Sequence, residues 1–198
     1  MGIRGVAPQA TIIPVRVLGA SGSGWSSDVA AGITWAVGAG AEVVNLSLGT
    51  TQQSQAMTNA VTYAKANGVV VVAAAGNGGP LGAKNYPAAD NRTLAVASIS
   101  SNRSISTFST SGSYVDIAAP GTSIVSSTPG GTYGYKSGTS MATPFVSGVA
   151  ALLIGLDPSL TPDAVAARLT STADDAGAPG VDVAFGHGIV NPVHAVSG

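Results

Sequence analysis

The run Val69–Ala75 is four valines followed by three alanines, with no polar residue to mark a solvent face. A strand with one wet side alternates apolar and polar residues, whereas one covered on both faces reads as a continuous apolar run. The run therefore predicts an inner strand of a parallel sheet with helices above and below it. The flanking chain fits that frame. Ala10–Leu18, β-branched and apolar between Pro8 and Gly19, predicts a buried strand. Gly19–Gly24 reads as a flexible loop, and Ser26, Ser27 and Asp28 as the cap of a helix with Val29, Ile33, Ala36 and Val37 on one face. Ala41–Leu48 is the next strand, and Gln55–Asn67 a helix stopped by Gly68. Leu94–Ile99 and Tyr114–Ala118 are two more short strands. Phe145–Leu156 has the 3.6-residue apolar period of a central helix, Thr161-Pro162-Asp163 opens another helix reaching Ala173, and His194 begins a C-terminal helical segment.

Strand–helix–strand alternation predicts an α/β fold: a three-layer sandwich with a mostly parallel central sheet and right-handed crossovers. No repeat or internal boundary interrupts it, so residues 1–198 read as one domain, long enough for a substantial core. Charged residues make up 9% of the chain and the net charge is −1. Without a Lys/Arg cluster there is no footprint for nucleic acid. The absence of cysteine removes disulfides and thiolate metal sites. Residues 1–25 carry no basic region followed by an apolar core, so no signal peptide is visible. The apolar stretches read as too short or too interrupted by Gly to cross a bilayer, which needs about 20 residues.

Parallel sheets bind ligands beyond the carboxyl ends of their strands. Asn45–Gly49 and Gly76-Asn77 both lie at such ends, which predicts one cleft. Gly138-Thr139-Ser140-Met141-Ala142-Thr143-Pro144 then delivers Ser140 to the start of the central helix, with Pro144 suited to its first turn. Free N–H groups and the positive end of the dipole favour a developing anion there. A nucleophile suits that position, and so does an N-cap serine.

The string Gly138–Pro144 resembles the nucleophile motif of the subtilisin-like serine peptidases. Asn45–Gly49 is similar to that family's substrate-binding strand, Val69–Asn77 to its oxyanion-hole segment, and Tyr86-Pro87-Ala88 to its specificity-pocket loop. Ala118–Gly121 and Gly186–Asn191 match further landmarks, in the family's order. The resemblance implies a subtilisin-like fold and a secreted parent endopeptidase acting on peptide or protein substrates. It makes Ser140 the nucleophile and Asn77 a donor to the oxyanion; the alternative for Asn77 is a left-handed turn residue between glycines. Ser47, Leu48 and Gly49 would offer an exposed strand edge to substrate. Ala74, Ala75 and Gly76 would line the side-chain pocket with Asn85 near its base, leaving room for a large apolar group. Gly22, Ser23 and Gly24 would form the other side of the cleft.

The family's catalytic Asp and His belong to an Asp-Thr/Ser-Gly strand end and a His-Gly-Thr helix start, and neither motif occurs in this sequence. The opening Gly5-Val6-Ala7-Pro8 resembles the turn that follows that His helix. The resemblance thus implies an N-terminally truncated domain that is inactive alone, leaving sheet surface uncovered for self-association or for a complementary N-terminal fragment. The two histidines, His187 and His194, read as surface or structural groups. No cofactor is required. The loop around Ala88 and Asp90 is the candidate for a structural Ca2+, although one carboxylate beside Arg92 is thin provision for an ion that takes six to eight oxygens. The competing reading is a peptide-binding module that has lost its chemistry, or a structural remnant.

Overall fold

A computed structural model describes residues 2–197. In chain order the elements are α1 (Ser26–Gly38), β1 (Val43–Leu46), α2 (Gln55–Ala66), β2 (Val70–Ala74), β3 (Leu94–Ile99) and β4 (Ile117–Pro120), then a hairpin of β5 (Ile124–Thr128) and β6 (Thr132–Lys136). Three helices follow: α3 (Thr139–Leu156), α4 (Pro162–Ser171) and α5 (Pro192–Ser197). The main sheet is parallel throughout in the order β1-β2-β3-β4, with Val43 beside Val70, Val72 beside Leu94, and Val96 beside Ile117.

Strand parity sorts the core into two layers. In β2, Val70 and Val72 join Leu94, Val96 and Ile117 beneath Val146, Val149 and Leu153 of α3. Val69, Val71 and Ala73 point the other way, to Ile33 of α1 and to Met57, Val61 and Ala64 of α2. Every residue of β2 is buried, as an unalternating Val/Ala run requires when both faces are covered. The structure is the predicted α/β sandwich.

Several elements differ from expectation. Ala10–Leu18 is not a strand: it runs without a ladder partner and leaves Ile12 81% exposed. Its composition is right for a strand, but a strand exists only where a neighbour supplies hydrogen bonds, and none is adjacent. Val17 and Val15 instead rest on Gly32 of α1, where a Cβ would collide with Val17. The N-cap of α1 is Trp25, without a side-chain cap, and Asp28 lies in the first turn. The fourth strand starts at Ile117 rather than Tyr114, because the Asp116 carboxylate takes the Ala95 N–H and the Tyr114 hydroxyl reaches Ala75 O.

The helix predicted from Phe145 begins six residues earlier, at Thr139, so Pro144 lies inside α3 and not in its first turn. At 18 residues α3 is also long and apolar enough to cross a bilayer, contrary to the reading of short, interrupted stretches, and half of it is buried in this core. The β5–β6 hairpin was not foreseen. Its signal is Gly130-Gly131, both at positive φ, where the chain reverses between Thr128 and Thr132.

Candidate active site

The start of α3 is set by its fit against the ends of β1 and β2. Proline inside a helix removes the N–H that would bond the carbonyl four residues back. For Pro144 that carbonyl belongs to Ser140, and the Ser47 hydroxyl donates to it at 2.7 Å. Ser47 Oγ in turn accepts from the Asn45 amide at 2.9 Å, and the Asn45 carbonyl oxygen accepts from Ser147 Oγ at 2.9 Å. This chain of side chains ties the carboxyl end of β1 to the first three turns of α3. It fixes the backbone of Ser140, whose side chain is partly exposed.

Asn77 follows β2 and is exposed. Its Oδ1 accepts from the Thr139 N–H at 2.9 Å and from Thr139 Oγ1 at 3.0 Å, while Thr139 Oγ1 accepts from the Gly76 N–H at 3.2 Å. With the oxygen committed, the amide nitrogen is the end left to donate. A Cβ on Gly138 would lie 3.5 Å from Asn77 Nδ2 and 3.7 Å from the Ser140 nitrogen. Nitrogens from two separate elements, with the Met141 sulfur at 3.6 Å, therefore lie around the position that a side chain at Gly138 would take. The structure brings Ser140, Asn77 and Ser47 together.

The pocket residues also meet. Asn85 Nδ2 donates to Ala74 O at 2.8 Å, and a Cβ on Gly76 would stand 3.1 Å from Asn85 Cβ. A Cβ on Gly49 would run into the Asn85 amide, so a side chain there would have to push that amide from its bond to Ala74 O. The Tyr114 hydroxyl donates to Ala75 O at 2.7 Å, and burial pushes this phenol up from its ordinary value, keeping it a donor. Thr110 completes the wall: its Oγ1 accepts from the Gly78 N–H at 2.9 Å, and its own N–H bonds Gly76 O. Sequence reasoning missed Thr110, Tyr114 and Thr139 as supports of the site, because their partners lie 32 to 63 positions away.

Other candidates are not hydrogen-bonded to this group. The loop of Gly22, Ser23 and Gly24 closes on itself through the Gly19 N–H and Ser23 O, and makes no hydrogen bond to Ser140, Asn77 or Ser47. His187 binds through its backbone to Asp116 O, and the His194 ring lies 3.0 Å from the Asn191 amide. Neither histidine hydrogen-bonds a group of the cleft. At the loop proposed for Ca2+, Arg92 Nη1 grips the Asp90 carboxylate at 2.6 and 2.8 Å, and the carbonyls of Pro87, Ala88 and Asp90 all accept from the Thr93 hydroxyl. The loop thus has no uncommitted carboxylate. No cluster of three His, Cys, Asp or Glu able to hold a metal occurs among the described residues.

The chain is similar to known proteins over almost its whole length. It is 49% identical over 195 residues to thermitase of Thermoactinomyces vulgaris, covering 98% of this chain and 68% of that protein. It is 43% identical over 194 residues to subtilisin E of Bacillus subtilis strain 168, covering 96% of this chain and 50% of the relative. A solved protease of Pseudoalteromonas arctica superposes with a TM-score of 0.90 at 39% identity, covering 99% of this chain and 65% of that one. The chain thus spans between half and about two thirds of the length of these relatives. The family model of the subtilases, peptidase family S8, matches residues 1–188. With that match and those identities, the chain belongs to the subtilase family.

Proposed function

We propose that this chain supplies the nucleophile, the oxyanion donors and the substrate-binding strand of a subtilisin-like serine endopeptidase. The observation that supports the reading most is that the Ser140 nitrogen and Asn77 Nδ2 both lie beside Gly138, with Asn77 Oδ1 held by Thr139. In acyl transfer, Ser140 Oγ attacks the scissile carbonyl and the carbonyl oxygen becomes an oxyanion. The two donors stabilise that charge, aided by the positive end of α3. Removal of one such donor typically costs about 2.7–4 kcal/mol of transition-state stabilisation.

Substrate lies along the edge after β1, at Ser47-Leu48-Gly49, by strand addition. Its side chain enters the pocket bounded by Ala74, Ala75, Gly76 and Asn85. The small residues there support broad specificity with an apolar bias. Full activity needs a base, which neither His187 nor His194 is placed to supply. The chain alone therefore retains only what binding and the oxyanion hole provide. On the same reading the enzyme works outside the cell, and its partners are peptide or protein substrates.

Fluorophosphonate labelling read by mass spectrometry tests the proposal. Slow but selective modification of Ser140, above that of exposed serines such as Ser137, and its loss in Ser140→Ala, are the expected results. Labelling scattered over surface serines with none at Ser140, in a chain that still binds peptide, would favour the binding-module reading.

A further inference from the structure

The geometry points to a spontaneous modification site at Asn77-Gly78, where the fold primes a deamidation and the Thr110 hydroxyl holds it off. Only Asn67 and Asn77 are followed by glycine in this chain. Glycine lets a neighbouring group approach its nitrogen with no side chain in the way. In the reaction, hydroxide takes the Gly78 amide proton and the nitrogen attacks Asn77 Cγ. A bond forms between Cγ and that nitrogen, the Cγ–Nδ2 bond breaks, and ammonia leaves with a proton from water. Water then opens the five-membered imide at either carbonyl. The net change is asparagine plus water to aspartic acid, or its β-linked isomer, plus ammonia.

Half of the requirement is already met. Asn77 and Gly78 are both exposed, so water and hydroxide reach them. Asn77 Oδ1 accepts from the Thr139 N–H and from Thr139 Oγ1. Two donors on that oxygen draw electrons from Cγ and stabilise the charge that attack would place there. The carboxamide is thus primed, and only the nitrogen is kept from it.

Thr110 does the keeping. An imide nitrogen is planar, and its new bond to Cγ replaces the old N–H, so Cγ must come to the position the amide hydrogen holds. The Gly78 N–H instead points at Thr110 Oγ1, 2.9 Å away. Thr110 is 1% exposed, and its own N–H bonds Gly76 O at 2.9 Å, so this acceptor is fixed from behind. Turning the Gly78 peptide is hindered too, because a Cβ on Gly82 would stand 2.9 Å from the Gly78 Cα and carbonyl carbon. Asn67-Gly68 has a weaker lock. Its Gly68 N–H donates to Lys65 O at 3.1 Å at the exposed end of α2, and helix ends open by fraying. Conversion of Asn77 would put an oxygen where Nδ2 stands and remove a donor beside Ser140; that consequence alone rests on the proposed function.

The test is peptide mapping of the chain after incubation in mildly alkaline buffer, folded and in urea. Trypsin releases residues 66–84 as one peptide carrying both asparagines, and electron-transfer fragmentation reads the amide-to-acid exchange at each. Relative to the rates in urea, folding should slow Asn77 about tenfold more than it slows Asn67. Thr110→Val keeps the shape and deletes the acceptor. It should raise the Asn77 rate about tenfold against Asn67, the worth of one buried hydrogen bond, and Thr110→Ser should restore the slow rate. Equal slowing at the two sites in the wild type would overturn the proposal. So would a Thr110→Val chain that melts cooperatively and in which Asn77 gains nothing on Asn67. Where that variant does not fold, the wild-type comparison decides. Both readouts are masses at asparagine, so neither depends on Ser140 being a nucleophile.

Discussion

Ser47 performs a task that proline creates. Pro144 deprives the Ser140 carbonyl of its helical donor, and the Ser47 hydroxyl replaces it. Ser47→Ala leaves that carbonyl short of a partner and should cost about 1 kcal/mol in urea unfolding. It should also slow fluorophosphonate capture at Ser140, and Ser47→Thr, which keeps a hydroxyl, should restore both. Two carboxylates give opposite pH signatures. The Asn191 amide and Arg103 hold the half-buried Asp174 below the usual carboxylate range. Its stabilisation is complete above the unfolded value of about 3.9 and is lost as pH falls through the lower folded value. Burial raises Asp116, against the pull of the Ala95 N–H and His187. The folded chain therefore holds that proton more tightly, and stability falls as pH rises from about 3.9 through the raised value. Melting curves from pH 3 to 7 should show a shallower acid-side decline in Asp174→Asn, with the lowered Asp157 still contributing. They should lose the opposing slope in Asp116→Asn, whose amide oxygen still accepts from Ala95.

Elements were legible where local chemistry and tertiary demand agree. Thr161-Pro162-Asp163 announces α4, and the Thr161 hydroxyl does accept from the Ala164 N–H at 3.2 Å with Pro162 opening the helix. Thr161→Ala should cost about 1 kcal/mol, read from the shift in denaturant midpoint at constant m-value. β3 was foreseen over its full span, because Leu94–Ile99 is an apolar run buried at every position. Boundaries fixed by distant partners were not legible. The early start of α3 depends on Asn77 binding the Thr139 N–H across 62 positions, and nothing near Thr139 reports it. Ser26 and Asp28 look like caps, yet the helix begins at Ser26 and takes both into its first turn. The candidate site shows the same division: Ser140, Asn77 and the small residues after β2 stood out in sequence, while the hydroxyls that hold them did not.

At the scale of the whole molecule, order should follow the ladders rather than the hydrophobicity of the chain. β2 and β3 have a partner on each side and helices on both faces, so their amides open only when the sandwich does. Residues 11–18 are as β-branched as β2, but their amides meet no protein acceptor. Hydrophobic side chains alone do not protect an amide; a hydrogen bond does. Native-state hydrogen exchange should therefore divide two segments of similar composition. Amides of Val71–Ala74 and Ala95–Ile99 should exchange at the rate set by global unfolding, and those of 11–18 within a few tens of the unprotected rate. If 11–18 proved as slow as β2 in the monomer, the chain would hold a ladder there that this structure lacks, and β1 would no longer be the edge of the sheet.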